Sequence, residues 1–184
     1  MPNSIVSSPL GSTLRRWRLM RRIKQSHAAE LFGVAQSTIS RWESGVQQMA
    51  PAERVRVEAR LAARLDSAGD RALARLVADS RRPVHLICDL THCLLACSSA
   101  REAEFGVPLS DLMNRSMWRY ATAEIAEQEA RLAGAGWHDG VTFASLEFAS
   151  GVNDSDVVPI RASRCRWTRM LLSDGTAARL VETM

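Results

Sequence analysis

Residues 25–45 read QSHAAELFGVAQSTISRWESG, and this stretch decides the fold of the N-terminal part of the chain. Apolar residues at helical spacing predict a short helix that ends at Gly33 and a second helix that begins after Val34 and ends at Gly45. Glycine at each end suits the left-handed residue that closes a helix and turns the chain. Two short helices joined by a turn that contains glycine are typical of a helix-turn-helix unit.

Helices are also predicted on both sides of this stretch. Ser12 or Thr13 is expected to cap a helix that runs to about Ile23, with apolar residues on one face and five arginines on the other. Pro51 is expected to open a fourth helix, because proline is well tolerated in a first turn. The N-terminal unit is therefore predicted to be all-α.

These residues resemble the Cro-like (XRE) helix-turn-helix family. The family pattern is a glutamine, a Leu-Ala pair, a Gly-Val turn, a polar triplet and Ile-Ser-x-Trp-Glu-x-Gly. The chain departs from it at Ala28, where leucine is usual, and at Ala35, where a capping serine or threonine is usual; a missing cap costs about 1 kcal/mol. The matching residues are Gln25, Ala28-Ala29, Gly33-Val34, Gln36-Ser37-Thr38 and residues 39–45.

The resemblance implies how the unit would contact DNA. The third helix would enter the major groove with its N-terminal residues at the base edges. Gln36 would pair with adenine and Arg41 with guanine, while Gln25 would contact a phosphate and brace the reading helix. Arg18 and Glu43 match a structural pair that joins the first helix to the third. The DNA-binding residues expected from the resemblance are Gln25, Ala35, Gln36, Ser37, Thr38, Ser40 and Arg41.

The charge distribution agrees with an anionic partner. The whole chain has 24 basic and 20 acidic residues, but its first 66 residues hold 11 basic and 5 acidic residues. Such a basic segment is typical of proteins that bind nucleic acid or another anionic surface. Lys24 is the single lysine, so lysine-dependent chemistry is excluded from the rest of the chain. No nucleophile, metalloprotease or nucleotide-loop motif is present, and an enzyme is not expected.

From Pro83 onward the sequence pattern changes from helices to a mixture of strands and helices. Two strands are followed by several helices and then by three strands, and Asp174-Gly175 is typical of a tight hairpin turn between the last two. This order predicts an α+β unit with an antiparallel sheet. The predicted strands are residues 84–89, 93–97, 141–149, 157–172 and 177–182, and the longest predicted helix spans about 116–132.

This second unit resembles a PAS sensory domain. The likeness is carried by Asp89 after the first strand, by Ala100 in its Ser-Ser-Ala-Arg-Glu-Ala-Glu-Phe-Gly segment, by residues 109–118 and by the closing hairpin. Asn114 replaces a usual glycine, and the turn after Asp89 lacks its usual glycine. The resemblance implies a domain that dimerises the chain, senses a small molecule, or does both.

A sensory role would place a ligand in a mainly apolar pocket between the sheet and the helices. Aromatic residues are the candidates to line it, with a plain core role as the alternative. His85, Cys88, His92, Cys93 and Cys97 form a dense cluster, but its spacing matches no zinc signature, and buried thiols are expected instead of a metal or redox site. No cofactor is evident. The aromatic candidates are Trp118, Tyr120, Trp137, Phe143, Phe148 and Trp167.

The sequence thus predicts a cytoplasmic, bacterial-type one-component transcription regulator. It would bind a near-palindromic site on double-stranded DNA as a homodimer, with a small-molecule effector as a further partner. No membrane partner is expected, because no run approaches the roughly 18 apolar residues of a bilayer span. The alternatives are a protein-interaction or antitoxin-like module, and a second unit that only dimerises. The predicted parts are a flexible N-terminus (1–12), the helix-turn-helix domain (13–66), a helical connector (67–82) and the PAS-like domain (83–184).

Overall fold

The computed structural model describes residues 10–132, 134–138 and 145–184. This part of the chain divides between Ala62 and Ala63 into two compact units. Within the described residues the first unit consists of α-helices, and the second combines helices with a five-stranded antiparallel sheet. The predicted fold class, an all-α helix-turn-helix unit followed by an α+β unit, is confirmed.

Four helices form the described part of the first unit. They are α1 (Leu10–Met20), α2 (Gln25–Phe32), α3 (Gln36–Ser44) and α4 (Pro51–Leu61). Pro51 opens α4, as predicted. The expected capping role of Ser12 or Thr13 is wrong, because α1 begins at Leu10 and both residues lie inside it.

The turn between α2 and α3 has the geometry that its glycine predicts. Gly33 ends α2 in the left-handed conformation with φ 65°, and Gly45 does the same for α3 with φ 75°. Ala35 precedes α3 without a side-chain cap hydrogen bond, as its identity led us to expect. The helices enclose a core of buried residues, among them Leu14, Trp17, Ala28, Ala29, Phe32, Ile39, Trp42, Val57 and Leu61.

Helices α1 and α3 approach each other closely at Gly11. A Cβ atom built on Gly11 would overlap the carbonyl oxygen of Trp42, so no larger residue fits without moving backbone. Trp17 meets Phe32 edge to face, with ring centroids 5.9 Å apart. The first contact thus holds α3 against α1 and the second holds α1 against α2, while the opposite face of α3 is exposed.

The second unit begins with α5 (Ala68–Ala78), which packs on the first two strands of the sheet. The remaining elements are β1 (Val84–Cys88), β2 (Leu94–Cys97), α6 (Ser99–Glu102), α7 (Ala123–Leu132), β3 (Ser145–Ala149), β4 (Arg164–Leu171) and β5 (Ala177–Thr183). Single-turn 3-10 helices cover Leu109–Asp111 and Met117–Tyr120. The sheet order is β2-β1-β5-β4-β3, and every neighbouring pair is antiparallel.

Helix α5 occupies most of the segment predicted as a connector at residues 67–82. Ser67 caps it, because its hydroxyl accepts from the backbone N–H of Asp70 at 2.9 Å. The Asp70 carboxylate in turn accepts from the backbone N–H of Ser173 at 3.0 Å. The segment therefore packs as part of the second unit.

Two predicted elements are shorter than the sequence pattern indicated. The helix expected over 116–132 is interrupted at Ala121-Thr122, because the Thr122 hydroxyl accepts from the N–H of Ile125 and starts α7 afresh. The strand expected over 157–172 begins only at Arg164. Before it, the Asn153 side chain holds a loop by accepting from the N–H of Ile160 at 2.9 Å. Residues 141–144 of the predicted third strand lie outside the described residues.

Two non-glycine residues take left-handed backbone conformations where the resemblance led us to expect glycine. His92, in the turn after Asp89, has φ 58°, and Asn114 has φ 60°. Asparagine tolerates this conformation better than most residues. The backbone turns are thus kept although the glycines are absent.

Candidate nucleic-acid interface and ligand cavity

A chain of four polar side chains links α1, α2 and α3. Arg18 donates to both carboxylate oxygens of Glu43, from Nε at 2.7 Å and from Nη2 at 2.9 Å. Gln25 Nε2 also donates to Glu43, at 3.0 Å. Gln36 Nε2 then donates to Gln25 Oε1 at 2.8 Å. The predicted Arg18–Glu43 pair is therefore formed, and it extends to the first residue of α3.

The donor and acceptor groups of these four side chains determine how each side-chain amide is oriented. A carboxylate only accepts hydrogen bonds, so Gln25 must present its NH2 group to Glu43. The Gln25 oxygen then faces Gln36. Because an amide oxygen only accepts hydrogen bonds, Gln36 must donate an N–H to it. The Gln36 oxygen and one amide hydrogen are left for another partner, which gives Gln36 one acceptor and one donor to present together.

Glu43 remains ionised in this setting. Burial would raise the pKa of the Glu43 carboxyl, but the hydrogen bonds from Arg18 and Gln25 outweigh it, so this pKa lies below its usual value. The hydrogen bond to Glu43 raises the pKa of Arg18. The pair is thus a charged one at neutral pH, and only 12% and 4% of the two side chains is exposed.

All predicted DNA-binding residues except Gln25, which begins α2, lie on α3 or directly before it, away from its buried side. Ile39 and Trp42 are buried on the other side. Ser37 and Arg41 are four residues apart and so neighbour each other on the helix surface. Ala35, Gln36, Ser37 and Arg41 are exposed, and Gln25, Thr38 and Ser40 are half-buried.

The N-terminus of α3 and the surface of α1 both suit an anionic partner. Without a side-chain cap, the first N–H groups of α3 stay available to an acceptor such as a phosphate. On and after α1 the side chains of Arg15, Arg21, Arg22 and Lys24 are exposed. Arg21 also lies over the Trp17 ring at 5.5 Å.

The second unit contains a cavity of about 280 Å³ between the sheet and the segments that cover it. Of the predicted pocket residues, Trp118, Tyr120 and Trp167 line it. Phe148 packs edge to face on Trp167 at 4.6 Å but does not line the cavity, and Phe143 lies outside the described residues. Residues that the sequence analysis did not assign to a pocket complete much of the wall, among them His85, Arg101, Glu104, Arg161, Cys165, Arg179 and Thr183.

A buried ionic network lies under one part of this cavity. Asp89 is fully buried and accepts from Arg179 Nε at 2.7 Å, from Arg169 Nε at 3.3 Å and from the Trp137 indole at 3.1 Å. Arg179 also donates to Glu129 at 2.6 Å, and its guanidinium lies over the Trp167 ring at 4.3 Å. Trp137 thus orients the network rather than lining the cavity.

The signal for this network was present in the sequence. Arg169 and Arg179 occupy inward positions of strands whose other inward residues are apolar, such as Trp167 and Val181. A charged residue on the buried face of a strand requires a buried counter-charge. What the sequence did not show is that Asp89 and Glu129 supply it.

The histidine and cysteine cluster is spread over the first hairpin. His85 pairs with Cys97 in register, whereas the backbone N–H of Cys88 donates to the carbonyl of Cys93 at 2.9 Å, so Cys88 and Cys97 lie at opposite ends of the hairpin. Within the described residues no three such side chains come together as metal ligands. Burial raises the pKa of Cys97 to about 12, so its thiol stays protonated and unreactive.

Residues 14–56 match the family model described as Helix-turn-helix, and this confirms the Cro-like resemblance of the first unit. The match supports a DNA-binding regulator, and the family is regulatory rather than enzymatic. No curated protein matches the chain. Every helix in the described part of the chain falls short of the length and apolarity that a bilayer span demands.

Solved structures similar to the chain include two PAS domains and a light-oxygen-voltage receptor. One is the PAS domain of an HTR-like protein from Haloarcula marismortui, with 17% identity and a TM-score of 0.46, covering 63% of this chain and 90% of that one. Another is the PAS domain of BvgS from Bordetella pertussis, with 12% identity and a TM-score of 0.39, covering 64% and 86%. A third is an RNA-binding light-oxygen-voltage receptor, with 10% identity and a TM-score of 0.41, covering 97% and 60%.

Proposed function

We propose that this protein is a one-component transcription regulator that binds a near-palindromic DNA site as a homodimer. Its second unit would dimerise the chain and bind a small-molecule effector. One observation carries the DNA-binding part: Gln36, Ser37 and Arg41 are exposed together on α3, and Gln36 is held by the polar chain that starts at Arg18. A helix face that contacts only solvent would not need hydrogen bonds that fix the orientation of its side chains.

The polar side chains of α3 suit the major groove. Gln36 presents an acceptor and a donor to an adenine edge, and Arg41 presents a donor pair to guanine. Ser37 would reach a base or a phosphate, and Ala35 a thymine methyl group. Thr38 and Ser40 lie at the edges of this face, and Gln25 and Ser40 are the candidates for phosphate contacts. The exposed arginines near α1 would add attraction that depends on salt.

A dimer would present two copies of α3 to one face of the duplex. Successive major grooves on that face are about 34 Å apart, and a two-fold dimer therefore reads a near-palindromic site. An effector bound in the cavity would change the population of dimers that match this spacing. The sign of regulation depends on which population the effector favours.

Fluorescence anisotropy with the full chain tests the proposal. Fragments of genomic DNA are first screened at physiological salt for one that binds better than bulk DNA. Arg41→Ala should then weaken binding to that fragment by about 1–3 kcal/mol. The matched control is Arg75→Ala, an exposed arginine on α5.

Two results would contradict DNA reading by α3. One is that no fragment binds better than bulk DNA. The other is that Arg41→Ala binds every fragment as the parent does. Either result would favour the protein-interaction or antitoxin-like alternative, in which the helix-turn-helix contacts a protein.

A further inference from the structure

The cavity of the second unit has a positively charged wall. Among the described residues that line it, Arg101, Arg161 and Arg179 are cationic and only Glu104 is anionic. A mainly apolar cavity with a few charged groups is typical of a site that orients an amphipathic ligand. The excess of positive charge favours an anion.

The three arginines differ in how completely they are paired. Arg179 is held by Asp89 and by Glu129, so its charge is already compensated by two carboxylates. Arg161 is exposed to solvent, where its charge is well hydrated. Neither arginine therefore requires a ligand.

Arg101 is buried but incompletely paired. The residue is 7% exposed, and its Nη1 donates to Glu104 and, at 3.5 Å, to the carbonyl of Pro159. Its Nε is buried and has no hydrogen-bond partner among the described residues. Glu104 is 42% exposed, so the carboxylate that compensates Arg101 is free to move into solvent. Leaving a buried N–H of a cation unbonded is costly, and a ligand oxygen would remove that cost.

Other unpaired polar atoms lie in the same wall. His85 is 8% exposed and its Nδ1 is buried without a partner in the described part of the chain. The Trp118 indole nitrogen is also buried and has no hydrogen-bond partner among the described residues. Burial and the positive charge of Arg101, which lines the same cavity, lower the pKa of His85 to about 3, so the imidazole is neutral at physiological pH. The polar end of the site is therefore built from Arg101 and a neutral His85.

Aromatic and aliphatic groups form much of the rest of the cavity. Trp118, Tyr120 and Trp167 line it together with Ile87 and Ile125. Ring faces and edges of this kind pack well against another aromatic ring. The volume of about 280 Å³ lies at the lower end of the range for small-molecule sites, so the ligand has one or two rings.

We propose that this cavity binds a small aromatic carboxylate, with its carboxylate on Arg101 and its ring against Trp118, Tyr120 and Trp167. In the unoccupied site Glu104 pairs with Arg101, and the ligand carboxylate competes with it for the guanidinium. The proposal rests on the effector-binding role given above and names the chemical class of that effector.

Isothermal titration of the full chain with benzoate and naphthoate tests the inference, with benzamide and naphthamide as neutral counterparts of the same shape. We expect at least one acid to bind about tenfold or more tightly than its amide, because a hydrogen bond to a charged group is stronger than a neutral one. Equal affinities of acid and amide, or no heat from either, would overturn the inference.

Variants at the cavity wall locate the carboxylate. Glu104→Gln removes the competing carboxylate and should tighten acid binding several-fold, whereas Arg101→Gln should weaken it by about tenfold or more. Arg75→Gln, at an exposed arginine that does not line the cavity, is the matched control and should change acid binding less than about twofold. Because Arg101→Gln removes a buried group, the melting temperature of this variant is measured as well. If Arg101→Gln does not fold, the effect of Glu104→Gln on acid binding tests the inference, because Glu104 is exposed. Weaker acid binding by Glu104→Gln would refute the competition.

DNA titrations separate this inference from the proposed function. If an acid binds but leaves DNA affinity unchanged, the ligand class stands and the effector role fails. If DNA is bound specifically and no acid binds, DNA reading stands and the ligand class fails. The two ideas are thus judged by different measurements.

Discussion

The two units arrange their buried ion pairs in different ways. In the first unit, the Arg18–Glu43 pair continues through Gln25 to Gln36, whose side chain is exposed. In the second unit, Asp89 and Arg179 are both fully buried, and the hydrogen bonds of Asp89 go to inward side chains. The first network leads outward to a surface, and the second is enclosed.

The difference shows what each network contributes. An enclosed network contributes to the fold mainly through the cost of breaking it, because any lost partner leaves a charge without water or counter-charge. An outward network transmits orientation, since each hydrogen bond decides the polarity of the next amide. The predictions below test this contrast, beginning with the largest effect.

Asp89→Ala should destabilise the second unit most strongly. It leaves Arg169 and Arg179 with less counter-charge in a buried site, and the expected loss is about 3–5 kcal/mol. Urea unfolding combined with amide hydrogen exchange reports the two units separately. Asp154→Ala, at an exposed position, is the control. A loss no larger than that of the control would show that the enclosed network does not stabilise the unit.

Gly11→Ala should destabilise the first unit. The new methyl group would overlap the carbonyl oxygen of Trp42 and push α1 away from α3, at a cost of about 1–3 kcal/mol. Gly69→Ala is the matched control, because a Cβ there meets only the Ser67 hydroxyl at 3.6 Å. It should be neutral or stabilise α5 by roughly 0.5 kcal/mol. Thermal unfolding of both variants checks the contrast, and similar shifts would refute the close approach of α1 and α3.

Glu43→Gln should reduce sequence discrimination. The new amide lets Gln25 and then Gln36 reverse their polarity, so Gln36 no longer presents one fixed pattern to the bases. We expect discrimination at the base pair read by Gln36 to fall by about 1–2 kcal/mol. Competition binding with DNA substituted at each base pair measures it. Glu58→Gln on α4 is the control, and unchanged discrimination in Glu43→Gln would contradict an orienting role.

The smallest expected effect is a loss of stability of the second unit at low pH. Hydrogen bonds from Ser173 and Ser67 lower the pKa of Asp70 to about 2, below its ordinary value of 3.8. A carboxyl with a lowered pKa in the folded state stabilises it above the unfolded pKa, and this contribution is lost as the pH falls through the folded value.

Asp70→Asn should therefore melt at a lower temperature than the parent above about pH 4, and the two should converge towards pH 2. Melting temperatures across this range check the effect. Asp66→Asn, at an exposed position just before α5, provides the comparison. Parallel curves for Asp70→Asn and the parent would show that the Asp70 hydrogen bonds do not contribute.

Much of the first unit could be predicted because its signals are local. Gly33 and Gly45 turn the chain at their own positions, and the spacing of Ile39 and Trp42 marks the buried face of α3. The start of α1 was placed incorrectly, because a serine and a threonine near a helix start are also tolerated inside the helix. The family resemblance supplied the Arg18–Glu43 pair, which spacing alone would not show.

The second unit was predicted in outline only. The order of strands and helices was correct, since each strand carries its own pattern of apolar residues. The lengths of the 116–132 and 157–172 elements were not, because the side chains of Thr122 and Asn153 donate to carbonyls distant in sequence, those of Ser150 and Tyr120, and such partners are set by the fold. Part of the cavity wall was not predicted, because in the sequence Arg101 and Glu104 look like an ordinary ion pair on the surface of a helix.

By itself, the sequence determined the helix-turn-helix, the all-α and α+β division and the residues exposed on α3, because these depend on periodicity and on turns within a few residues. The tertiary structure decided which charges meet. Asp89 and Arg179 are 90 residues apart, and only the pairing of β1 with β5 brings them together. The burial of Arg101 likewise follows from packing of distant segments, since desolvation depends on everything that surrounds a group and not on its neighbours in the chain.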